Sequence, residues 1–410
     1  MKPIAFLFPG VGSQYVGMGK TLYDNFDVYR RTFEEAGDIL NMDIADLCFT
    51  KEKKKELDLL ENAQAVLVTA GIASYRVFRQ ETDIQPNYCM GHSLGEYTAL
   101  CAAGVMDFPA ALMLVRERGL IVKEVSAGIQ GTMMWVINLD TSIVETVCNE
   151  LSVPGQEVYV SAFDSPAQSS ISGHTDMLMT VARELEKRGA IVYPLQLSGP
   201  FHCPLMKEAA ERMASVLHRY EYKKPGCAVL ANHNALPYSD ESAVIENLSL
   251  QLVSPIRWKA CLEYIVDKGV HVGIEMGPKN VLKFLVQKNV NTITVYTTDN
   301  EKDIAKIKDE LVLKEDEYLK LIGRCLGAAV STKNNNVDAG EAEYAERVVK
   351  PYRKIEAYYN QFVSSAEKPQ KQHVQEALGV LRDIMDAKRV PQPVQDQWFQ
   401  RLSGNKIINF

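Results

Sequence analysis

What most constrains the fold of this chain is a Gly-His-Ser-Leu-Gly segment at residues 91–95, set between a short apolar run and an alanine-rich stretch. The apolar run ends at Met90, and residues 97–105 favour a helix. α/β enzymes expose a serine nucleophile on such a strand-to-helix turn, because the flanking glycines permit the turn and the helix N-terminus favours developing negative charge. The segment therefore predicts an α/β sheet and makes Ser93 a candidate nucleophile, although a serine here is also common as a simple helix cap.

A glycine-rich loop follows the first apolar run of the chain. Residues 4–8 are all apolar and predict a strand, and Pro9 and Gly10 end it. The loop continues through Gly12 to Gly19. Such a loop can bring backbone N–H groups close to a substrate oxygen.

Composition restricts the class of protein. A chain of 410 residues with 46% hydrophobic content can bury a large core and form more than one domain. The net charge of −7, without a dense basic stripe, argues against a nucleic-acid partner. No apolar run is long enough to span a membrane, and the run from Ile4 is too short for a signal peptide. Eight scattered cysteines without Cys-x-x-Cys pairs predict neither disulfides nor a metal site, so we expect reduced thiols and a cytoplasmic location.

The order of predicted elements indicates a parallel sheet covered by helices. Strand-like runs at 4–8 and 86–90 alternate with helical segments at 61–79 and 109–125, and Val272–Glu275 predicts a later strand of the same sheet. We therefore expect an α/β fold with an α/β-hydrolase-like large domain, formed by residues 1–127 and 199–330.

Between the two parts of the large domain, a β-α-β-β-α-β pattern predicts a ferredoxin-like small subdomain at residues 128–198. Its elements are predicted at Thr132–Ile137, Ser142–Leu151, Val158–Phe163, Gln168–Ser172, Asp176–Arg188 and Ile191–Leu197. Residues 331–410 are expected to form a linker and a helical C-terminal extension. The linker is the polar stretch 331–342, and the helices are near 343–364 and 370–388.

A serine nucleophile needs a base, and His202 is the best placed of the seven histidines. It follows the Ile191–Leu197 run in a loop stiffened by Pro200 and Pro204, at a strand end where side chains converge on α/β active sites. His92 is too close in sequence to turn back onto its neighbour. The alternative for His202 is a loop histidine whose ring bonds only to the backbone.

Arg118 falls on the apolar face of the predicted helix 109–125, four residues from both Leu114 and Val122. An inward guanidinium is unfavourable unless it is paired. Its partner is either a buried structural carboxylate or the carboxylate of a substrate, which arginine can bind with two parallel hydrogen bonds. Arg116, two positions away, is expected to face solvent.

Seven motifs, in order along residues 1–310, resemble those of the malonyl-CoA:acyl carrier protein transacylase family. They are Phe8-Pro9-Gly10, Gly12-Ser13-Gln14, Gly91 to Tyr97, Arg118-Gly119, His202-Cys203 with Leu205-Met206, Gln251 with Pro255 and Trp258, and Glu275-Met276-Gly277-Pro278. The tail to about residue 365 is more similar to the stand-alone acyltransferases of polyketide and lipopeptide synthesis than to the shorter fatty-acid enzyme.

This resemblance implies a role for each matching residue. Ser93 would be the nucleophile and His202 its general base, with the backbone N–H groups of Val11 and Leu94 forming the oxyanion hole. Gln251 would orient His202 through its backbone carbonyl, in place of the acidic member of a hydrolase triad.

Substrate selection is implied for two further residues. Arg118 would hold the malonyl carboxylate, and Phe201 accompanies malonyl preference over methylmalonyl in related enzymes. The chain departs from the family at Val11, where Gln is usual, and at Asp164, where Asn is common. A valine still offers its N–H, and we expect Asp164 to form a turn.

The implied reaction moves a malonyl group from malonyl-CoA through Ser93 to the phosphopantetheine thiol of an acyl carrier protein, without a metal or redox cofactor. Nucleic acid and membrane are not expected partners. One alternative is an editing thioesterase that hydrolyses acyl carrier proteins, but such an enzyme handles uncharged chains and has no use for Arg118. The second alternative is a non-catalytic docking protein, but the presence of both Ser93 and His202 argues against it.

Overall fold

Two β-sheets and a series of helices make up the protein, whose computed structural model describes residues 3–195, 199–404 and 406–407. The strands are β1 (Ile4–Phe8), β2 (Tyr88–Gly91), β3 (Gly131–Ile137), β4 (Val158–Ser165), β5 (Gln168–His174), β6 (Ile191–Pro194), β7 (Ala228–Val229), β8 (Val272–Glu275) and β9 (Thr294–Thr297). The helices are α1 (Lys20–Asn25), α2 (Asp27–Leu40), α3 (Ile44–Phe49), α4 (Lys54–Leu57), α5 (Leu60–Thr82), α6 (Leu94–Ala102), α7 (Phe108–Ala127), α8 (Thr141–Leu151), α9 (Thr175–Lys187), α10 (Lys207–Leu217), α11 (Ala243–Val253), α12 (Trp258–Asp267), α13 (Val281–Asn289), α14 (Glu301–Leu311), α15 (Glu315–Ser331), α16 (Glu341–Tyr344), α17 (Lys350–Ser364), α18 (Lys371–Ala387) and α19 (Gln392–Ser403).

The chain divides into two units, and the large unit comprises residues 3–81 and 86–304. Its main sheet has the strand order β7-β2-β1-β8-β9, and every neighbouring pair is parallel. All five residues of β1 are buried, as expected for a central strand covered by helices on both faces. The predicted α/β fold with a parallel sheet is confirmed.

The small sheet has the order β4-β5-β3-β6 and only antiparallel pairs. With the helices α8 and α9, it forms the predicted ferredoxin-like β-α-β-β-α-β arrangement. The helices bury one apolar face each, with Val144 and Leu178 packed around Ile171 of the sheet. The final strand ends at Pro194, and residues 196–197 of the predicted strand lie outside the described residues.

The second unit, here called the C-terminal unit, contains residues 82–85 and the described residues from 305 onward. It has its own apolar core, in which Ile322 and Cys325 of α15 join Ile355, Leu378 and Leu381. The sequence placed the boundary at residue 330, but the structure divides the chain at 304, because the buried face of α15 packs on α17 and α18.

Most of the stretch 331–342, expected to be a linker, is a loop at residues 332–340 that is hydrogen-bonded to the end of α18. Asn335 N–H donates to the Lys388 carbonyl at 2.8 Å, and Asn336 Nδ2 donates to the Ala387 carbonyl at 3.1 Å. The buried Lys388 Nζ donates to the carbonyls of Ala329 at 2.6 Å and Thr332 at 3.0 Å. The expectation of a linker is therefore replaced by an ordered connection within the C-terminal unit.

Among the described helices, none combines the length and the apolarity that a membrane span requires. The same residues contain no group of three or more side chains arranged to hold a metal ion. All eight cysteines are free thiols.

Candidate active site

Ser93 lies on a strained turn between β2 and α6, with φ 52° and ψ −107°. The turn packs so closely on β1 that a Cβ at Gly95 would lie 1.9 Å from the Phe8 carbonyl oxygen. Asn232 fixes the turn, since its Oδ1 accepts from Ser93 N–H at 2.7 Å and its Nδ2 donates to the Gly91 carbonyl at 2.7 Å. The Ser93 side chain forms no capping hydrogen bond, which removes the simple helix-cap interpretation.

The Ser93 hydroxyl is directed at His202. Its Oγ lies 2.7 Å from His202 Nε2, and His202 Nδ1 lies 2.8 Å from the backbone carbonyl oxygen of Gln251. A carbonyl only accepts hydrogen bonds, so Nδ1 carries the proton and Nε2 presents its lone pair to Ser93. Burial, assisted by the charge of Arg118, lowers the pKa of His202 to about 3. The ring is therefore neutral near pH 7 and can accept a proton from Ser93.

The side chain of Gln251 ties this pair to a buried carboxyl group. Its Nε2 donates to the Ser93 carbonyl at 2.9 Å and to Glu96 Oε2 at 2.7 Å. Glu96 is fully buried and also accepts from Tyr238 Oη at 2.5 Å and from Asn232 N–H at 3.1 Å. Burial raises the pKa of Glu96 to about 7. Glu96, on the helix that follows Ser93, thus binds Gln251, whose backbone carbonyl holds His202.

Arg118 is buried on α7, the helix that begins after the capping residue Asp107. Its Nη1 donates to Gln64 Oε1 at 2.8 Å, and its Nη2 lies 3.3 Å from Gln251 Oε1 and 3.5 Å from Ser93 Oγ. Within the part of the chain that the structure describes, the guanidinium forms no ion pair and its Nε has no hydrogen-bond partner. Arg118 is therefore a buried cation whose neighbours are the amides of Gln64 and Gln251, the candidate nucleophile, and the Tyr97 ring, whose centroid lies 5.5 Å from the guanidinium carbon. The buried Glu96 carboxyl acts on it electrostatically but forms no ion pair with it.

Arg116 does not face solvent, so that expectation is wrong. The side chain is partly buried, and its Nη1 donates to Met42 Sδ at 2.9 Å and to Asn62 Oδ1 at 3.3 Å. The turn after α2 covers this part of α7, which the periodicity of α7 alone does not reveal.

The glycine-rich loop after β1 lies against the Ser93 turn. A Cβ at Gly10 would be 2.5 Å from the His92 carbonyl oxygen, so only glycine permits this approach. Among the described residues, no group accepts the backbone N–H of Val11 or of Leu94. These are the two donors that the resemblance assigns to the oxyanion hole.

Phe201 and Asp164 lie beside two histidines, His202 and His92 respectively. Phe201 is buried, and its ring centroid lies 6.5 Å from that of His202. Asp164 belongs to β4, whereas the turn lies at residues 166–167, so the expected turn role is wrong. Its buried carboxylate lies 2.8 Å from Nε2 of His92.

Three residues of the site were missed by the sequence analysis: Gln64, Glu96 and Asn232. Each acts on a partner distant in sequence, and only Glu96 lies in one of the seven motifs, whereas Gln64 lies in the predicted helix 61–79. The available signal for Asn232 was that it is the first polar residue after the apolar run 227–231, which contains β7.

Residues 5–311 match a family model described as the acyl transferase domain. A Bacillus subtilis protein named malonyl CoA-acyl carrier protein transacylase is 32% identical over 394 residues, which cover 95% of this chain and 98% of that protein. A protein of the same name from Bacillus subtilis strain 168 is 38% identical over 304 residues, 73% of this chain and 95% of that protein. The longer match extends into the C-terminal unit.

Solved structures show the same similarity. The crystal structure of FabD from Acinetobacter baumannii has a TM-score of 0.71 and 32% identity, covering 75% of this chain and 98% of that one. A malonyl-transacylase in complex with its type II PKS acyl-carrier protein has a TM-score of 0.72 and 34% identity, covering 74% and 98%.

Proposed function

The chain belongs to the acyl transferase family, and we propose that it moves a malonyl group from malonyl-CoA to the phosphopantetheine thiol of an acyl carrier protein. The reaction supplies polyketide, lipopeptide or fatty acid synthesis. The observation that carries the proposal is Arg118, a buried guanidinium that forms no ion pair among the described residues and lies 3.5 Å from Ser93 Oγ. A malonyl thioester carries a free carboxylate, which can pair with the Arg118 guanidinium.

In the first half-reaction, Ser93 Oγ attacks the thioester carbonyl while its proton passes to His202 Nε2. The oxygen that gains negative charge is stabilised by the N–H groups of Val11 and Leu94. The C–S bond then breaks, and the coenzyme A thiolate takes the proton from Nε2. A malonyl ester of Ser93 remains, with its free carboxylate on Arg118.

In the second half-reaction, the phosphopantetheine thiol gives its proton to His202 Nε2 and attacks the ester carbonyl. The ester bond breaks, and Ser93 recovers the proton from His202. Gln251 keeps the ring in the required tautomer through its carbonyl in both directions. The steps need no metal or redox cofactor, and we place them in the cytoplasm.

An editing thioesterase is not favoured by this site. It would bind uncharged acyl chains, which would leave the Arg118 guanidinium buried and unpaired in the complex. Water would also have to replace the carrier thiol as the group that attacks the Ser93 ester.

The test combines Ser93→Ala with the control Ser215→Ala, which changes an exposed serine on α10. After incubation with malonyl-CoA, intact-protein mass spectrometry should show one added malonyl group on the parent and on Ser215→Ala, and none on Ser93→Ala. Adding a carrier protein that bears phosphopantetheine should remove the label and malonylate the carrier. Malonyl labelling of the Ser93→Ala variant would contradict the assignment of Ser93 as the nucleophile. Release of free malonate in the absence of a carrier protein would favour the thioesterase.

A further inference from the structure

Lys279 connects the turn after β8 to the glycine-rich loop after β1. Its Nζ donates to the Gly12 carbonyl oxygen at 2.9 Å, across nearly the whole length of the large unit's sequence. Gly12 directly follows Val11, whose N–H is one of the two proposed oxyanion donors. The lysine therefore holds the loop one residue away from the Val11 N–H, whose direction must be fixed for it to act as an oxyanion donor.

A second link joins the same two segments. Tyr15, on the other side of Gly12, donates its hydroxyl hydrogen to Asp299, with Oη lying 3.0 Å and 3.1 Å from the two carboxylate oxygens. The Asp299 carboxylate also accepts the backbone N–H of Lys279. Lys279 Nζ lies 6.0 Å from the centroid of the Tyr15 ring. Lys279 is thus connected to the loop twice: its side chain binds the Gly12 carbonyl, and its backbone N–H binds Asp299, which in turn binds Tyr15.

The backbone of Lys279 has φ 66°, a left-handed conformation that residues other than glycine, asparagine and aspartate rarely adopt. Glycine would adopt this conformation without strain but would supply no amine. Strained residues of this kind persist where the surrounding structure holds them, and they cluster at functional sites. The strain at Lys279 accompanies two contacts that glycine could not make, the hydrogen bond to Gly12 and the approach of Nζ to the Tyr15 ring.

The loop has little else to hold Gly12. This residue is exposed and has φ 103°, and among the described residues other than its chain neighbours no atom lies within 4 Å of where a Cβ would be. Its N–H bonds within the loop, to Gln14 Oε1 at 2.8 Å. Without the Lys279 amine, the Gly12 carbonyl would lose this hydrogen bond, and the segment beside Val11 would be held less firmly.

We propose that Lys279 is a positioning residue for the oxyanion hole, fixing the direction of the Val11 N–H through the Gly12 carbonyl. The inference rests on the function proposed above. Oxyanion donors stabilise the transition state because they are already oriented when charge develops, so a loosened donor slows the chemical step more than it weakens substrate binding.

The test is Lys279→Gly, which removes the amine and the backbone strain together. The single-turnover rate of Ser93 malonylation should fall about tenfold, less than the 10²–10³-fold typical of deleting a donor, with KM for malonyl-CoA unchanged within about twofold. The melting temperature should stay the same or rise, because glycine relieves the strain. Lys279→Arg, which can still donate to Gly12, should recover part of the rate.

Asn41→Gly is the matched control, since Asn41 has φ 50° at the end of α2 and its cap N–H donates to Gly37 of its own helix rather than to the loop. It should leave the malonylation rate unchanged. A Lys279→Gly protein with the parent's rate overturns the proposal, and so does one whose rate and melting temperature fall together, which marks a structural lysine. If the parent itself is not malonylated, the proposed function fails instead.

Discussion

The sharpest prediction concerns Arg118→Ala. The substitution removes a cation that lies 3.5 Å from Ser93 Oγ and leaves the malonyl carboxylate without a partner in a buried site. Truncating one member of a buried, hydrogen-bonded charge pair loses about 2–5 kcal/mol. At 1.36 kcal/mol per factor of ten, kcat/KM for malonyl-CoA should fall roughly 30- to 5,000-fold.

Acetyl-CoA should behave differently, because it has no carboxylate for Arg118 to bind. The Arg118 charge is one cause of the lowered pKa of His202, second to burial. Removing that charge raises the pKa of His202 and makes the base stronger. Acetyl transfer should therefore be maintained or increased, and the acidic limb of its pH profile should move to higher pH.

The assay measures kcat/KM for both substrates in the parent, Arg118→Ala and Arg116→Ala. The malonyl-to-acetyl ratio should collapse only in Arg118→Ala, since Arg116 contacts Met42 and Asn62 rather than the nucleophile. An equal loss with both substrates would show that Arg118 supports the structure instead of the substrate. A similar change of ratio in Arg116→Ala would place the carboxylate anchor elsewhere.

Two further predictions follow from buried side chains. Phe201→Ser should open space beside His202 and raise the methylmalonyl-to-malonyl ratio of kcat/KM about 10- to 200-fold; an unchanged ratio would remove Phe201 from substrate selection. For Glu96, burial raises the pKa from 4.5 to about 7, so its contribution to stability is complete below pH 4.5 and is lost as pH rises through 7. The melting temperature of Glu96→Gln minus that of the parent should therefore increase from pH 4.5 to pH 8, and a constant difference would contradict the assignment.

Local patterns were sufficient for the elements that carry the site. The apolar run 4–8, ended by Pro9, corresponds to β1, and the turn around Ser93 follows from its glycines. The inward position of Arg118 follows from the helical period, because a residue four positions from Leu114 shares its face. Periodicity and turn chemistry are properties of neighbouring residues, so one sequence is enough to read them.

The partners of these residues could not be predicted in the same way. Gln64 reaches Arg118 from α5, and Asn232 reaches Ser93 from the loop after β7, a strand of only two residues. The partial burial of Arg116 likewise depends on Met42, which belongs to a different element. Such contacts depend on how helices and strands pack, which no local period encodes.

The position of β1 in the middle of the parallel sheet has a consequence for how the protein folds as it leaves the ribosome. Ile4 pairs with Val272, so β1 must wait for β8, which is made much later. The ferredoxin-like subdomain pairs strands that are close in sequence and can form much earlier. During synthesis β2 can cover one edge of β1 early, but the edge that pairs with β8 stays open until β8 is made, and aggregation of the nascent chain should begin there.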